Sequence, residues 1–271
     1  MRALIAMAWA SVAALTAQGD TPQAPLAPAL VMSPPEGLAE ADVQILGGRK
    51  VADPEATWPA TLKFNGGAGP CTATAIGPHV VLTAAHCVLP NQTGKITVGT
   101  VNPFSTTISC QHHPDYDEDV KLDVALCHAT AAIRLPGANS AYETVRISEP
   151  PRPDTPVVLL GYGCRQELGY GPAGVLFEGD NKIFRITTGD PWIETRGGVA
   201  VCSGDSGGGA FVPTGTLRRW MFGVNSQGDL LTRSMITSLA DPKVAKFLKD
   251  WRRDGRDVKI CGIDEMDDCH G

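Results

Sequence analysis

Three short motifs in this sequence carry residue types that can act together in nucleophilic chemistry. The TAAHC motif follows an apolar run and presents His86, whose neutral imidazole can accept a proton near neutral pH. The DVAL motif begins with Asp123, and a carboxylate beside an imidazole fixes its tautomer. The GDSGG motif centres on Ser206, and its glycines allow the backbone to turn tightly around an exposed hydroxyl.

The GDSGG motif also offers backbone donors. The amides of Gly204 and Ser206 can point together at a developing oxyanion, since Gly204 has no side chain to obstruct the approach. Taken singly, each motif has a simpler explanation: a core or surface histidine, a turn or cap aspartate, a flexible glycine loop. Their occurrence in the order His, Asp, Ser, each beside an apolar run, favours a serine nucleophile with a histidine base.

The segments that must position these motifs are short apolar runs broken by Gly, Pro, Asn and Asp. This texture begins at Ile45 and is typical of an all-β sandwich or barrel. The clearest runs are Ala73–Ile76, Val80–Leu82, Ile96–Val98, Val157–Leu160 and Met221–Val224.

One segment near the end has the period of a helix. Val244, Phe247, Leu248 and Trp251 fall at positions i, i+3, i+4 and i+7 behind an Asp-Pro pair. An aspartate N-cap, a proline in the first turn and one apolar stripe predict a helix docked by that stripe.

The chain has 271 residues, of which 43% are hydrophobic and 19% charged, as expected of a folded globular protein. Residues 1–17 combine an early arginine with a short apolar stretch and predict a secretory signal peptide; a membrane anchor or buried helix is the alternative. Residues 18–44 are Pro-rich and predict a propeptide or linker, followed by a folded domain over 45–251 and a polar tail over 252–271.

Charge and cysteine content narrow the partners and the compartment. The net charge of −6, without clustered Lys and Arg, argues against nucleic acid as a partner. Eight cysteines without a C-x-x-C pair predict disulfides in an exported protein rather than a zinc site. The acidic clusters of residues 115–119 and 264–268 lack calcium-loop spacing, so no metal is predicted.

These motifs, taken together, resemble the trypsin/chymotrypsin family of serine endopeptidases. Further stretches carry the resemblance: ILGG from Ile45, HPDY from His113, GYG from Gly161, and the helix ending at Trp251. It spans about Ile45 to Trp251 and implies two antiparallel six-stranded β-barrels with a C-terminal α-helix, the first barrel giving His86 and Asp123 and the second Ser206. It also implies a secreted monomer, extracellular or periplasmic, that is not held at a membrane once the signal peptide is removed. Such an enzyme cuts protein or peptide substrates and needs no cofactor.

The resemblance implies that the protein is activated by cleavage, but the residue before the cleavage site differs from the one that many relatives have. In the family, a new Ile ammonium inserts and pairs with the Asp before the nucleophile, here Ile45 with Asp205. Gln44 stands where many relatives have Arg or Lys. We therefore expect cleavage between Gln44 and Ile45 by the protein itself or by a partner rather than by a trypsin-like enzyme.

A second departure concerns the substrate-binding pocket. The residue six before the nucleophile lies at the pocket floor in the family, and here it is Ala200, followed by Val201. The segment Ser226, Gln227 and Gly228 resembles the Ser-Trp-Gly strand that lines the pocket and pairs with substrate backbone. With no acid at the floor, we expect a neutral, apolar or small residue before the scissile bond (P1) rather than Arg or Lys.

The cysteines follow the family only in part. The resemblance implies a bridge between Cys71 and Cys87, which closes the histidine loop. Cys202 normally pairs with a cysteine after the Ser-Trp-Gly segment, and none stands between Gly228 and Cys261. For the remaining cysteines, the predicted pairs are Cys164 with Cys202, Cys110 with Cys127, and Cys261 with Cys269.

Two other functions stay open for this sequence. The first is a catalytically silent relative that binds a partner or regulates it through the same cleft. The second is an esterase that uses the same residues on non-peptide substrates. The strand-like edge at Ser226 to Gly228 argues against it, because such an edge suits peptide substrates.

Overall fold

The computed structural model describes residues 45, 47–89, 93–137, 140–164, 174–215, 218–251 and 258–270. The predicted signal peptide (1–17) and propeptide (18–44) lie outside these residues. Across the described residues, no helix is both long and apolar enough to cross a membrane.

The first half of the described chain forms a closed antiparallel barrel of six strands in the order β2-β3-β4-β7-β6-β5. Alternate residues of β5 face the interior, as its Ile96 and Val98 do, which is the period of a half-buried strand. The strands are β2 (Thr61–Asn65), β3 (Pro70–Gly77), β4 (Val80–Thr83), β5 (Thr93–Val98), β6 (Phe104–His112) and β7 (Ala125–His128).

The second half forms another antiparallel barrel, in the order β9-β10-β13-β12-β11-β8, closed by pairing of β8 with β9. The short strand β1 (Arg49–Lys50) pairs with the start of β9. The barrel strands are β8 (Pro156–Gly161), β9 (Phe177–Ile186), β10 (Trp192–Arg196), β11 (Gly209–Pro213), β12 (Arg219–Gly228) and β13 (Ser234–Ser238).

Two α-helices and one 3-10 helix complete the described elements. They are α1 (Pro54–Thr57), the 3-10 helix Ala85–Cys87, and α2 (Pro242–Trp251). The Asp241 carboxylate accepts the amide of Lys243 at 2.9 Å, and the apolar stripe of α2 is buried, as the sequence predicted. The predicted fold, two six-stranded antiparallel β-barrels with a C-terminal α-helix, is confirmed.

Residues 258–270, which follow α2 in the chain, pack against the first barrel. Ile260 and Cys261 are fully buried, and the amide of Cys261 donates to the carbonyl of Ile76 in β3. The eight cysteines form four disulfides, in the same pairs as those predicted: Cys71–Cys87, Cys110–Cys127, Cys164–Cys202 and Cys261–Cys269.

Candidate active site

His86 lies on the 3-10 helix that follows β4, at the seam between the two barrels. The buried strand β4 ends just before this helix, and the disulfide from Cys87 to Cys71 connects the helix to β3. The His86 side chain keeps 37% of its surface exposed. The imidazole is therefore fixed by its neighbours on one side and open on the other.

Asp123 holds the fixed side of that imidazole. Its carboxylate is 2% exposed and accepts the His86 backbone amide at 2.9 Å and the His86 Nδ1 at 2.7 Å. The hydroxyl of Ser226, at the end of β12 in the other barrel, donates to the same carboxylate at 2.6 Å. An ionised carboxylate accepts from a protonated Nδ1, so the Nε2 of His86 is left as the proton acceptor.

The charge of Asp123 sets the titration of His86. Burial of the imidazole lowers its pKa, but the hydrogen bond and the charge of Asp123 outweigh this effect, and the pKa of His86 lies above its ordinary value. The ring therefore gains its proton more readily than a solvated histidine does.

Lys121 ties the segment that carries Asp123 to the second barrel. Its Nζ lies 2.8 Å from the carboxylate of Asp190, in the loop between β9 and β10, and its carbonyl accepts the hydroxyl of Thr237 at 3.3 Å. Although partial burial opposes the effect, the hydrogen bonds from Lys121 and from the Trp192 amide lower the pKa of Asp190. The carboxylate of Asp190 is therefore held in its ionised form more strongly than a solvated aspartate.

Ser206 lies in a tight glycine-rich turn before β11. Gly207 has a φ of +83°, and a Cβ there would lie 2.2 Å from the carbonyl oxygen of Thr72, so only glycine fits. The amide of Gly207 donates to the carbonyl of Asn225, and the amide of Thr72 donates to the carbonyl of Ser206, both at 2.9 Å. The turn is therefore held by strands of both barrels.

Ser206 is brought close to His86 through Cys87. The carbonyl oxygen of Ser206 lies 3.6 Å from Cys87 Sγ, and a ring nitrogen of His86 lies within 4.8 Å of that sulfur. Within the described part of the chain, Ser206 Oγ makes no hydrogen bond to His86. The turn that carries Ser206 therefore contacts Cys87, the residue that follows His86.

The backbone amides of Gly204 and Ser206 both lie in this turn. Neither amide donates a hydrogen bond to any residue that the structure describes, and both residues are partly exposed. Gly204 has a φ of +95°, and a Cβ there would lie 2.9 Å from the Cα of Gly163. The two amides thus remain available to an external acceptor.

Asp205 and Ile45 meet inside the second barrel. Both are fully buried, and the Asp205 carboxylate accepts backbone amides from Cys202 at 2.9 Å and Gly163 at 2.8 Å, and one from Ile45. Burial raises the pKa of Asp205 to about 7, against the three amides, which lower it. The predicted partners of the activation pair are therefore in contact.

The buried carboxylate of Asp205 explains the two glycines of the GYG stretch. A Cβ at Gly161 would lie 2.0 Å from Asp205 Oδ1, and a Cβ at Gly163 would lie 2.5 Å from the same atom. The two glycines let the backbone wrap the buried carboxylate closely enough to donate to it.

Val201 and Gly228, two of the predicted pocket residues, lie against each other. Ala200 and Val201 are buried, whereas Gln227 and Gly228 are exposed. A Cβ at Gly228 would lie 2.3 Å from the carbonyl oxygen of Val201, so the two walls touch. The hydroxyl of Ser234, in β13 opposite Gly228, accepts the Val201 amide at 3.0 Å.

Several residues that hold this site escaped the sequence analysis, Ser234 and Thr72 among them. Ser234 contacts Val201 only because β12 and β13 pair in a particular register. Thr72 is a fully buried residue of β3 that contacts the turn around Ser206, and only the packing of one barrel on the other brings it there. Its position directly after Cys71 was the one available signal.

Comparison with known proteins gives one consistent result. A family model described as Trypsin matches residues 45–240. The chain is 26% identical over 193 residues to a vitellin-degrading protease of Bombyx mori, an alignment that covers 62% of this chain and 71% of that protein. It is 27% identical over 162 residues to a trypsin of Simulium vittatum, covering 51% and 64% of the two chains. It is 26% identical over 184 residues to a trypsin of Saccharopolyspora erythraea, covering 59% and 75%.

The contact with Asp123 predicts the titration of His86. We expect its imidazole to titrate above the ordinary value of about 6.5, because the carboxylate stabilises the imidazolium. His113, whose pKa burial lowers, should titrate below that value in the same spectra. Histidine ring proton shifts measured by NMR across pH check both, and Asp123→Asn should move only the His86 midpoint, downward. A His86 midpoint at or below that of His113 would contradict the assignment.

Proposed function

This chain belongs to the trypsin family, and from that premise we propose that it is a secreted serine endopeptidase with Ser206, His86 and Asp123 as its catalytic residues. The observation that carries the proposal is the 2.7 Å hydrogen bond between His86 Nδ1 and Asp123. It leaves Nε2 as the proton acceptor of the ring, and we assign Ser206 as its partner because the Ser206 turn contacts Cys87, the residue that follows His86.

The proposed reaction proceeds through an acyl-enzyme. Ser206 Oγ attacks the scissile carbonyl carbon while His86 Nε2 takes its proton, and Asp123 stabilises the imidazolium. The imidazolium then gives that proton to the leaving amine, and the peptide bond breaks. Water then attacks the ester carbonyl carbon while His86 takes its proton, the bond to Ser206 Oγ breaks, and the imidazolium returns the proton to Ser206 as the acid leaves.

The oxyanion of each tetrahedral intermediate needs donors that are already in place. The amides of Gly204 and Ser206 are the proposed donors, supported by the lack of acceptors for them among the described residues. Fixed donors of this kind lower the barrier because they need no reorganisation as charge develops. The chemistry requires no metal or organic cofactor.

Activation by cleavage between Gln44 and Ile45 is part of the proposal. Among the described residues, the buried carboxylate of Asp205 has only backbone amides as partners, and burial raises its pKa to about 7. A free ammonium at Ile45 would supply the missing positive charge and lower that pKa. The ionised pair would then hold the turn that carries Gly204 and Ser206.

The setting of the enzyme follows from the same premise. The predicted signal peptide (1–17) and four disulfides support export to an oxidising compartment, extracellular or periplasmic. We propose a propeptide over 18–44, the protease domain over 45–251 and a tail over 252–271. Its partners would be protein or peptide substrates rather than nucleic acid or membrane, and it would act as a monomer.

A fluorophosphonate probe, which reacts with an activated serine, tests the proposal. The form that begins at Ile45 should be labelled at least about tenfold faster than the full chain, because the ammonium orders the oxyanion donors. Ser206→Ala should abolish labelling. Ser203→Ala, which alters an exposed serine of the same turn, is the matched control and should be labelled normally.

Two results would count against parts of this account. If the folded Ile45 form is not labelled, the protein is a silent relative that binds through its cleft. If N-terminal sequencing of the labelled species gives a residue other than Ile45, cleavage between Gln44 and Ile45 is refuted, whatever the activity.

The contact between Val201 and Gly228 narrows the proposed P1 preference to small neutral residues. A large side chain must separate two walls that already touch, and Ala200 at the floor offers no charge to an Arg or Lys. An unpaired buried charge costs about 3 kcal/mol or more, which is a discrimination of roughly a hundredfold or more.

A peptide library that varies only P1 checks this preference. Cleavage after Ala or Gly should exceed cleavage after Phe by about tenfold and after Arg or Lys by about a hundredfold. Ser234→Gly, which removes the group that holds Val201, should improve cleavage after the larger apolar residues. A strict requirement for Arg, Lys, Asp or Glu at P1 would overturn the assignment of this pocket.

A further inference from the structure

Thr72 makes hydrogen bonds at the seam through its hydroxyl, its amide and its carbonyl. Its hydroxyl donates to the carbonyl of Gly204 at 2.8 Å and accepts the amide of Tyr162 at 2.9 Å. Its own amide donates to the carbonyl of Ser206 at 2.9 Å, and its carbonyl accepts the hydroxyl of Thr83 at 2.9 Å. The residue is fully buried, so each of these bonds is shielded from competing water.

We propose that Thr72 is a positioning residue whose hydroxyl holds the Gly204 peptide in the orientation that aims the oxyanion donors. This inference rests on the proposed function, since it names the residue that orients the oxyanion donors of the same site. Thr72 does not touch the reacting atoms; it acts through Gly204.

Gly204 needs such a constraint because of its own conformational freedom. A glycine adopts positive and negative φ about equally well, and the φ of Gly204 is +95°. Nothing intrinsic to the residue therefore keeps its amide facing the substrate side. The orientation must come from hydrogen bonds to the peptide groups around it.

The peptide group between Gly204 and Asp205 is held at both ends. Its carbonyl accepts from the Thr72 hydroxyl at 2.8 Å, and its amide, that of Asp205, donates to the carbonyl of Cys202 at 3.0 Å. With this plane fixed, rotation about the bonds of Gly204 is restricted, and its amide keeps one direction. Of the two hydrogen bonds that hold this peptide group, the one from the Thr72 hydroxyl comes from the first barrel.

The same hydroxyl connects this turn to the group that wraps Asp205. It accepts the amide of Tyr162, the residue between the two glycines that enclose the carboxylate. One hydroxyl thus uses its proton on the Gly204 turn and a lone pair on the Tyr162 turn. The two turns are thereby held in register with β3, which also carries Cys71 of the histidine-loop disulfide.

The test compares Thr72→Val, which keeps the shape and removes the hydroxyl, with Thr72→Ser, which keeps the hydroxyl. In the activated protein, Thr72→Val should lower kcat by roughly ten- to a hundredfold with KM within about twofold, since oxyanion donors act mainly in the transition state. Thr72→Ser should stay within about threefold of the wild-type kcat. Rates are normalised to the folded fraction measured by urea unfolding.

Thr74→Val is the matched control. Thr74 lies two residues along the same strand and is equally buried, but its hydroxyl has no hydrogen-bond partner among the described residues. A general loss of a buried β3 hydroxyl would affect both valine variants, whereas the proposed role affects only Thr72→Val. If Thr72→Val does not fold, Thr72→Ala replaces it in the comparison with Thr72→Ser.

The outcomes separate this inference from the proposed function. If the activated wild type, which begins at Ile45, is not labelled by the fluorophosphonate, the proposed function itself fails. If the wild type is active, the Thr72 role is overturned by an unchanged kcat in folded Thr72→Val or Thr72→Ala, by an equal loss in Thr74→Val, or by failure of Thr72→Ser to retain activity.

Discussion

The buried carboxylate of Asp123 is the constraint on which the rest of this structure depends. A charge removed from water must be compensated by hydrogen bonds, and Asp123 receives them from the His86 backbone, the His86 ring and the Ser226 hydroxyl. The first two donors belong to the first barrel and the third to the second. Satisfying one carboxylate therefore fixes both barrels at the place where the imidazole faces solvent.

Several features serve this arrangement without touching the imidazole. The Cys71–Cys87 disulfide limits the movement of the histidine loop, and the ion pair of Lys121 with Asp190 holds the Asp123 segment against the second barrel. A partly exposed ion pair of this kind contributes little stability by itself. Its value here is geometric, because it lies two residues from the group whose position matters most.

A second buried carboxylate, Asp205, organises the other half of the site. It is enclosed by glycines and backbone amides, and its raised pKa shows that dipoles alone do not fully compensate its charge. In the proposed activation, an ammonium at Ile45 would contribute the charge that the site lacks. Thr72 links this half to the first barrel through the turn that carries Gly204.

Much of this could be predicted because local sequence encodes it. The turn around Ser206 requires glycines, the start of α2 requires a cap at Asp241, and both requirements are visible as motifs. The contacts of Thr72 and of Ser234 were not predictable in this way. They depend on how one barrel packs on the other and on the register of β12 with β13, and no short motif reports either.

The pH dependence of peptide hydrolysis tests the central claim most directly, because the claim is that His86 acts as a base held by Asp123. The value of kcat/KM in the activated protein should fall as pH decreases through the His86 pKa, which lies above its ordinary value, since an imidazolium cannot accept the Ser206 proton. A rate that stays flat from about pH 8 to about pH 5 would contradict that role for His86.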